Sequence, residues 1–345
     1  MMTSSAAVRD VARHPDRSAA KRLTLILVAI MLVASVLGLA AGSNGWSFDW
    51  STDDVLILSI RAPRTLGAFL AGALLGLSGA IAQGLFRNPL ADPYLLGSSS
   101  GATLALVVVL AAGTLSGTLV GFAPAGWLAK AGLVGAAFIG ALGGVVLTVI
   151  LGRGAARPTV LVLSGVVVGI LLGAIANLVL LASPEAMRGA QVFMLGTTGF
   201  LGWRSDAYLG VTLTFALPLA LRYGRVLDAL VLGEPTAISL GVPVPRARLI
   251  LVALLALSTG TAVAETGLVA FIGLASPHVV RRSVLVTHAP LLALSALTGG
   301  TLLLLADVAA RSLTEPSELP VGLLTAILGG GYLLVLLHRR TGDGL

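Results

Sequence analysis

The sequence predicts an all-α, polytopic membrane protein with about ten transmembrane helices. Of its 345 residues, 57% are hydrophobic and only 11% are charged, whereas soluble domains carry about 25% charged residues. The apolar residues form many runs of about 17–25 residues, each long enough to cross a hydrocarbon core of about 30 Å as a helix. The runs are continuously apolar, which disfavours a transmembrane β-barrel of short alternating strands. We therefore expect a helical bundle, because a helix satisfies its own backbone hydrogen bonds in lipid.

The predicted spans are the apolar runs, which polar or helix-breaking residues separate. They lie at residues 23–41, 62–85, 94–113, 131–152, 158–182, 205–222, 248–266, 268–283, 289–311 and 320–338. The polar arm before the first run contains Arg9, Arg13, Arg17, Lys21 and Arg22. The first run lacks a convincing small-residue cleavage site, so we interpret it as a retained span and not as a signal peptide. The chain thus divides into a basic cytoplasmic arm, residues 1–22, and a single transmembrane domain, residues 23–340.

Basic residues are concentrated on one side of the predicted membrane. If the arm is cytoplasmic, the other cytoplasmic connections carry Arg87, Arg153, Arg157, Arg222, Arg225, Arg246, Arg248, Arg281, Arg282, Arg339 and Arg340. This distribution follows the positive-inside rule and predicts that both termini are cytoplasmic, in a protein of the cell inner (plasma) membrane. Five arginines fall on the opposite side and need another explanation: Arg61, Arg64, Arg188, Arg204 and Arg311.

Glycine is frequent inside the predicted spans, with 43 residues in the whole chain. Gly72 and Gly76 form a GxxxG pair in the second span. In lipid, such glycines let neighbouring helices approach closely. We expect this pair to lie at a helix–helix contact.

The segment RNPLADPYLLG, residues 87–97, interrupts the apolar pattern between the second and third spans. Pro89 and Pro93 prevent the two helices from merging into one. Asn88 and Asp92 are typical helix-capping residues. We interpret the segment as a structured cytoplasmic turn in which these two side chains cap helix ends.

The chain carries no set of residues typical of a soluble enzyme. It has no cysteine, and its four histidines lack the i, i+4 spacing of a helical metal site. It also lacks the GxxxxGK[ST] loop that cradles nucleotide phosphates. We expect neither a metal nor a cofactor on this chain, so that ATP and Mg²⁺ would be bound by a partner ATPase. The net charge of +7 comes from scattered basic residues, which indicates orientation in the membrane and not nucleic-acid binding.

The longest predicted cytoplasmic connection, residues 223–247, carries a distinct pattern. Glu234, Ala237 and Gly241 stand in the order E-x-x-A-x-x-x-G. This order predicts a short helix with an acidic N-terminus and a C-terminal glycine. Taken alone, it is more typical of an ordinary amphipathic loop helix. It also resembles the coupling helix through which permeases of ABC importers contact their ATPases.

Three further segments resemble the permeases of iron-chelate, haem and vitamin B12 (FecCD-type) ABC importers. They are RAPRTLGAFLAGALLGLSGAIAQGLFRNPLADPYLLGSSSGA (61–102), GLVAFIGLASPHVVRR (267–282) and LLLLADVAARSLTEPSELPVGLLTAILGG (302–330). The segments occur in the family's order, and the resemblance covers most of the chain. It implies a type II ABC importer permease fold with ten transmembrane helices per subunit. It also implies a homodimer around a central pathway, two cytoplasmic ATPase subunits, and a substrate-binding protein that docks from the periplasmic or outer face.

The resemblance assigns three of the exceptional arginines to the docking of the binding protein. Arg61, Arg64 and Arg311 match positions at which family members present positive charge to acidic residues of that partner. Opposite charges across an interface favour encounter and fix the register of the two proteins. Snorkelling to lipid headgroups is the alternative for an arginine at a helix end, and it is the interpretation that we prefer for Arg204.

The resemblance also implies three candidate residues of the pathway. Arg188 lies where family members often carry LR-x-x-x-x-W-x-x-G, and an arginine there can bind the carboxylates of an anionic chelate. Phe193 replaces the usual tryptophan, and a structural role for Arg188 in the loop stays open. Thr159 matches one member of a polar pair that narrows the cytoplasmic end of the pathway, although a helix N-cap is the alternative.

His278 belongs to the family's PH motif, where we expect a structural hydrogen bond and no metal.

These observations predict the permease subunit of an ATP-driven importer of a metal chelate, with haem or an iron–siderophore as the expected cargo. Vitamin B12 is the alternative cargo. Transport would proceed by alternating access, driven by movement of the 234–241 segment. An ion-coupled secondary transporter is the rival class, and it would need intramembrane acidic relays, for which Glu265 and Asp307 are the candidates. A non-transporting scaffold would not need the 234–241 segment.

Overall fold

The computed structural model describes residues 17–42, 45–47, 54–115, 127–152, 158–314 and 317–342. Most of the predicted basic arm, together with Arg153 and Arg157 of one predicted basic connection, lies outside the described residues. Within them, the chain is a bundle of α-helices with one short β-hairpin. The predicted all-α, polytopic fold class is confirmed.

The α-helices of the described residues are numbered in chain order. They are α1 (Arg17–Ala40), α2 (Asp54–Leu56), α3 (Ala62–Phe86), α4 (Ser98–Leu115), α5 (Trp127–Leu151), α6 (Pro158–Ala182), α7 (Pro184–Leu195), α8 (Trp203–Val231), α9 (Glu234–Ser239), α10 (Val244–Thr266), α11 (Ile272–Ser283), α12 (His288–Ser312) and α13 (Val321–Gly342). A π-helical turn (Ile57–Arg61) joins α2 to α3, and a 3-10 turn (Pro93–Leu96) precedes α4. Strands β1 (Ala41–Gly42) and β2 (Gly45–Trp46) pair antiparallel after α1.

Six helical segments among the described residues are long and apolar enough to cross a membrane. They contain α1, α2 with α3, α5, α6, α10 and α12. Helices α4 and α13 contain shorter apolar stretches, while α8 has 29 residues and Pro218 inside it. A helix occupies each of the ten predicted spans.

Helices α3 and α12 pack closely at the centre of the bundle. A methyl group at Gly72 would lie 2.7 Å from Leu303 Cβ and would overlap the carbonyl group of Gly299. One at Gly76 would overlap the carbonyl oxygen of Ser295. The predicted helix–helix contact at this GxxxG pair is therefore confirmed, and its partner is α12.

The bundle has two ends. At one end, the Arg64 side chain from the start of α3 bonds Asp307 near the end of α12. At the other end, Asp228 near the end of α8 bonds His288 at the start of α12, and α9 follows directly after α8. We call them the Arg311 end and the α9 end.

The predicted span at residues 268–283 is only partly helical. Helix α11 has 12 residues and is about 18 Å long at 1.5 Å per residue, too short to cross the hydrocarbon core alone. Gly267 has φ +68° and Phe271 has φ +67°, so the backbone cannot continue as a helix between α10 and α11. The prediction of a continuous helical span here was wrong.

The irregular segment between α10 and α11 is bonded to the protein on both sides. The Leu268 N–H donates to the Phe193 carbonyl over 2.9 Å. The Tyr94 hydroxyl donates to the Val269 carbonyl over 2.9 Å. Non-helical backbone is tolerated at membrane depth only where protein or an aqueous cavity surrounds it. These bonds meet that requirement.

The turn after α3 is structured as predicted, but only one of its two proposed caps exists. Asp92 Oδ1 accepts the Tyr94 N–H over 2.8 Å and caps the 3-10 turn. Asn88 Oδ1 accepts from the Leu90 N–H over 2.9 Å, which closes a turn and caps no helix. Helix α3 instead ends at Arg87, in the left-handed conformation with φ 51°. Burial raises the pKa of Asp92 to about 6.

Candidate functional site

An ion cluster ties together the Arg311 end of the bundle. Arg64 Nε lies 2.9 Å from Asp307 Oδ1, and its Nη1 lies 2.8 Å from Glu318 Oε2. Arg311 Nη2 lies 2.6 Å from Asp307 Oδ2, one helical turn away. Two guanidinium groups and two carboxylates meet here, so the cluster is formally neutral.

Neutral groups complete the hydrogen bonding of the cluster. The Thr198 hydroxyl donates to Asp307 Oδ1 over 2.5 Å. Arg311 Nη1 donates to the carbonyl groups of Gly38 over 2.9 Å and of Ala41 over 3.3 Å. The cluster therefore links α1, α3, α12 and the loop between α7 and α8. A buried charge is costly without such partners, so these bonds fix the relative positions of the four elements.

The three arginines predicted to dock a binding protein lie at this end, but they differ in accessibility. Arg64 and Arg311 are buried, and Arg311 is only 2% exposed. In this structure neither guanidinium is available to a partner. Arg61 is half-buried, and its Nη1 donates to the Leu39 carbonyl over 3.2 Å. Of the three, only Arg61 can meet another protein without rearrangement of the ion cluster.

Phe193, one of the predicted pathway residues, lines a small cavity near the same end. The cavity encloses about 30 Å³, room for about two water molecules. Its walls are mostly apolar, and the polar ones come from Glu265, Thr266 and Thr197. The remaining lining residues are Leu106, Leu133, Val134, Val192, Phe200, Ala264 and Gly267.

The two other predicted pathway residues do not join this cavity. Arg188 lies on α7, as Phe193 does, but its side chain is exposed. Thr159 is the second residue of α6 and is also exposed. Both face outward from the single chain, where lipid or another subunit would meet them.

The predicted short helix between residues 223 and 247 is confirmed. Helix α9 begins at Glu234, whose Oε2 lies 3.4 Å from Arg248 Nη2 on α10. Ala237 is fully buried beneath it. Gly241 follows the helix with φ +80°, and its N–H donates to the Ile238 carbonyl over 2.9 Å. The glycine has the left-handed conformation expected of a helix stop.

Sequence reasoning missed two members of the ion cluster and the contact of His278. Glu318 and Thr198 lie in loops far from Arg64 along the chain, and no local pattern connects them with it. Glu318 lies in the 302–330 segment that resembles the family, but the resemblance assigned this residue no role. The His278 ring packs edge-on against the Tyr332 ring, with centroids 5.7 Å apart.

Comparison with protein families matches residues 22–339 to the FecCD transport family. A hemin transport system permease from Yersinia pestis, HmuU, is 39% identical over 92% of this chain and 96% of its own length. A vitamin B12 import system permease from Pectobacterium atrosepticum, BtuC, is 36% identical over 93% and 94% of the two chains.

Two solved structures resemble the fold. A metal-chelate type ABC transporter in an inward-facing conformation gives a TM-score of 0.80 at 26% identity, over 93% of this chain and 99% of that chain. The PsaBC structure from Streptococcus pneumoniae gives 0.55 at 15% identity, over 79% and 89% of the two chains. The second likeness concerns the fold alone.

Proposed function

The chain belongs to the FecCD transport family and is a permease of the ABC importer type, and from that premise we propose that it moves a metal chelate, haem or an iron–siderophore. The observation that carries this proposal is the 39% identity to a hemin permease over nearly the full length of both chains. Vitamin B12 is the alternative cargo, because B12 permeases are similar at 36% identity.

We propose that two ATPase subunits bind at the α9 end. Helix α9 is short, its Ala237 is buried, and the Glu234–Arg248 pair connects it to α10. A movement of α9 would therefore be transmitted to α8 and α10, the helices that precede and follow it. The basic residues near this end support a cytoplasmic location for it and for both termini, in the plasma membrane. ATP and Mg²⁺ would be bound by the partner ATPase, which supplies the energy.

A second copy of the chain would complete the pathway. Helix α6 exposes large apolar side chains along its length, including Leu163, Ile170 and Leu178, each at least 65% exposed. Arg188 and Thr159 are exposed on α7 and α6. The cavity that Phe193 lines, within the described part of one chain, encloses only about 30 Å³ and is too small for any of the proposed cargoes. A pathway between two copies, lined by α6 and α7, would account for the exposed side chains on these helices and for the small volume of that cavity.

A substrate-binding protein would dock at the Arg311 end. Arg61 is the direct contact that we propose, because Arg64 and Arg311 are held inside the ion cluster. Glu318 has a side chain 32% exposed and is the most accessible member of that cluster. An acidic side chain of the partner could replace Glu318 on Arg64 without changing the charge of the cluster.

Transport would follow alternating access. Nucleotide binding and hydrolysis in the ATPases would move α9, and the bundle would open toward one side of the membrane at a time. A cargo shifts such an equilibrium only through different affinities for the two states. The exposed apolar face of α6 would hold a large chelate weakly and let it leave.

The cargo can be tested with the complex of permease, ATPase and binding protein in proteoliposomes. Haem, an iron–siderophore and cobalamin are each supplied outside with ATP inside, and accumulation is measured. We expect ATP-dependent accumulation of haem or the siderophore. Accumulation of cobalamin alone would replace our proposal with the alternative, and accumulation of none of them would reject both.

A further inference from the structure

A carboxylate from α8 holds the start of α12 at the α9 end. Asp228 Oδ1 lies 3.0 Å from the backbone nitrogen of His288 and 2.7 Å from its ring Nδ1. A carboxylate can only accept, so both nitrogens donate to it. Thr287 stands at the N-cap position of α12, but its side chain makes no cap hydrogen bond. Asp228 therefore caps α12 in its place, and its negative charge suits the positive end of the helix dipole.

Three helices close around this bond. On α8, a methyl group at Gly224, one turn before Asp228, would lie 2.8 Å from the backbone nitrogen of Ala289. On α3, a methyl group at Gly84 would lie 3.2 Å from His288 Cδ2. The side chains of His288 and Asp228 are only 14% and 37% exposed. The ends of α3 and α8 thus pack against the start of α12, and we call the Asp228–His288 pair the α12 joint.

The α12 joint is close to α9 along the chain. Helix α8 ends at Val231, three residues after Asp228, and α9 begins at Glu234 after two further residues. The N–H groups of those two, Leu232 and Gly233, donate to carbonyl groups of α8. So short a hydrogen-bonded connection ties α9 to the end of α8. A displacement of α9 would therefore reach Asp228, and through it the start of α12.

Helix α12 extends from the joint to the ion cluster at the opposite end of the bundle. It has 25 residues and is about 38 Å long at 1.5 Å per residue. Asp307 and Arg311, in its last two turns, belong to the ion cluster. Its middle part is held against α3 by the close contact of Gly72 with Gly299. Packed helices and hydrogen bonds of this kind can carry coupling between distant sites, so the α3–α12 pair links the two ends.

The two other helices that end or begin beside α9 are interrupted. Helix α8 contains Pro218, and an internal proline removes a backbone hydrogen bond and favours bending. Helix α10, which Arg248 ties to Glu234, ends at the irregular backbone that begins with Gly267. Pro290 of α12 lies in the first turn, where a backbone N–H has no helical partner. Helix α12 is therefore the continuous connection between the α9 end and the ion cluster.

We propose that Asp228 and His288 are positioning residues for coupling, which connect α9 to the α3–α12 pair and thereby the ATPase to the binding protein. This inference rests on the proposed function, from which it takes both partners and their locations. The role of the two residues is to fix the start of α12 relative to α9. When the joint is broken, α9 would move without α12, and the two ends of the permease would act independently.

ATP hydrolysis by the complex of permease, ATPase and binding protein in proteoliposomes tests this inference. The rate is measured with and without the binding protein, and the ratio of the two rates reports communication between the ends. We expect stimulation by the binding protein in the wild type. Asp228→Ala should lower that stimulation about fivefold or more, the lower bound of typical allosteric coupling. His288→Ala should act in the same direction, and the double variant should lose no more than Asp228→Ala alone, because both residues act through one joint.

Two further variants separate coupling from a general loss of stability. Thr287→Ala is the matched control, because Thr287 adjoins His288 and its side chain makes no cap hydrogen bond. It should keep the wild-type stimulation. Asp228→Asn retains an acceptor for the His288 N–H and should restore part of the stimulation that Asp228→Ala loses.

Copurification of the ATPase and gel filtration check that each complex is assembled. Unchanged stimulation in Asp228→Ala, or in His288→Ala if the former does not assemble, would overturn the inference. So would a wild type that the binding protein does not stimulate. Uptake measured in the same vesicles judges the proposed cargo separately, since stimulation without uptake of any proposed cargo would reject the cargo and uphold the role of the α12 joint.

Discussion

Replacing Asp307 by asparagine should lower the free energy of unfolding by about 3–5 kcal/mol, the usual cost of breaking a buried ion pair from one side. Asp307 is fully buried and bonds both Arg64 and Arg311, which are themselves buried. Asparagine keeps the shape and an acceptor for Thr198 but removes the charge. The cluster then holds two positive charges and one negative charge, a net charge of +1 with little access to water.

Glu318→Gln is the control for this prediction, because it removes the same charge from a more exposed position. The Glu318 side chain is 32% exposed, so water can solvate the charge that is left on Arg64. We expect a cost of about 1 kcal/mol or less, as for surface ion pairs. The difference between the two variants measures the effect of burial.

Unfolding in mixed detergent and SDS micelles, followed by circular dichroism, gives both free energies. Adding Arg311→Met to Asp307→Asn restores neutrality, so the double variant should be more stable than the sum of the single effects by about 1 kcal/mol or more. A cost below about 1 kcal/mol for Asp307→Asn, or strict additivity in the double variant, would refute the claim that charge balance stabilises this end.

Three further predictions concern other parts of the bundle. Gly72→Ala should be destabilised by about 1–3 kcal/mol through overlap with α12, whereas Gly143→Ala, with no atom within 4 Å of the new methyl group, should not. Because the pKa of Asp92 is raised to about 6 by burial, stability should fall as pH rises from about 4 to about 6. Asp92→Asn should flatten that fall in pH-dependent unfolding curves, and an unchanged curve would contradict the assignment. Ala237→Leu should displace α9 and prevent copurification of the ATPase, whereas Ile238→Leu, at an exposed position, should copurify normally.

The membrane fold could be predicted from the sequence because length and hydropathy limit what can cross a bilayer. The close contact at Gly72 and Gly76, and the short helix that begins at Glu234, could also be predicted from local spacing. Each of these features depends on residues that are near one another along the chain. Local patterns were sufficient for them.

The break before α11 could not be predicted from hydropathy, because the segment is as apolar as its neighbours. Its backbone is held by groups from distant parts of the chain, such as the Tyr94 hydroxyl on Val269. The burial of Arg64 and Arg311 is likewise a tertiary property. A guanidinium at a helix end suits a docking surface and an internal ion cluster equally well. Only the tertiary contacts distinguish them, with Asp307 bonding both arginines and Glu318 bonding Arg64.

Measuring which energy source drives uptake tests most directly the central claim that this protein is an ATP-driven permease. The permease is reconstituted with its ATPase and binding protein, and uptake of the cargo is measured with ATP alone, with a proton gradient alone, and with a non-hydrolysable ATP analogue. For an ATP-driven permease, uptake should occur only with hydrolysable ATP and should be lost when α9 is disrupted by Ala237→Leu. Uptake driven by the proton gradient without ATP would contradict the claim and would indicate an ion-coupled secondary transporter instead.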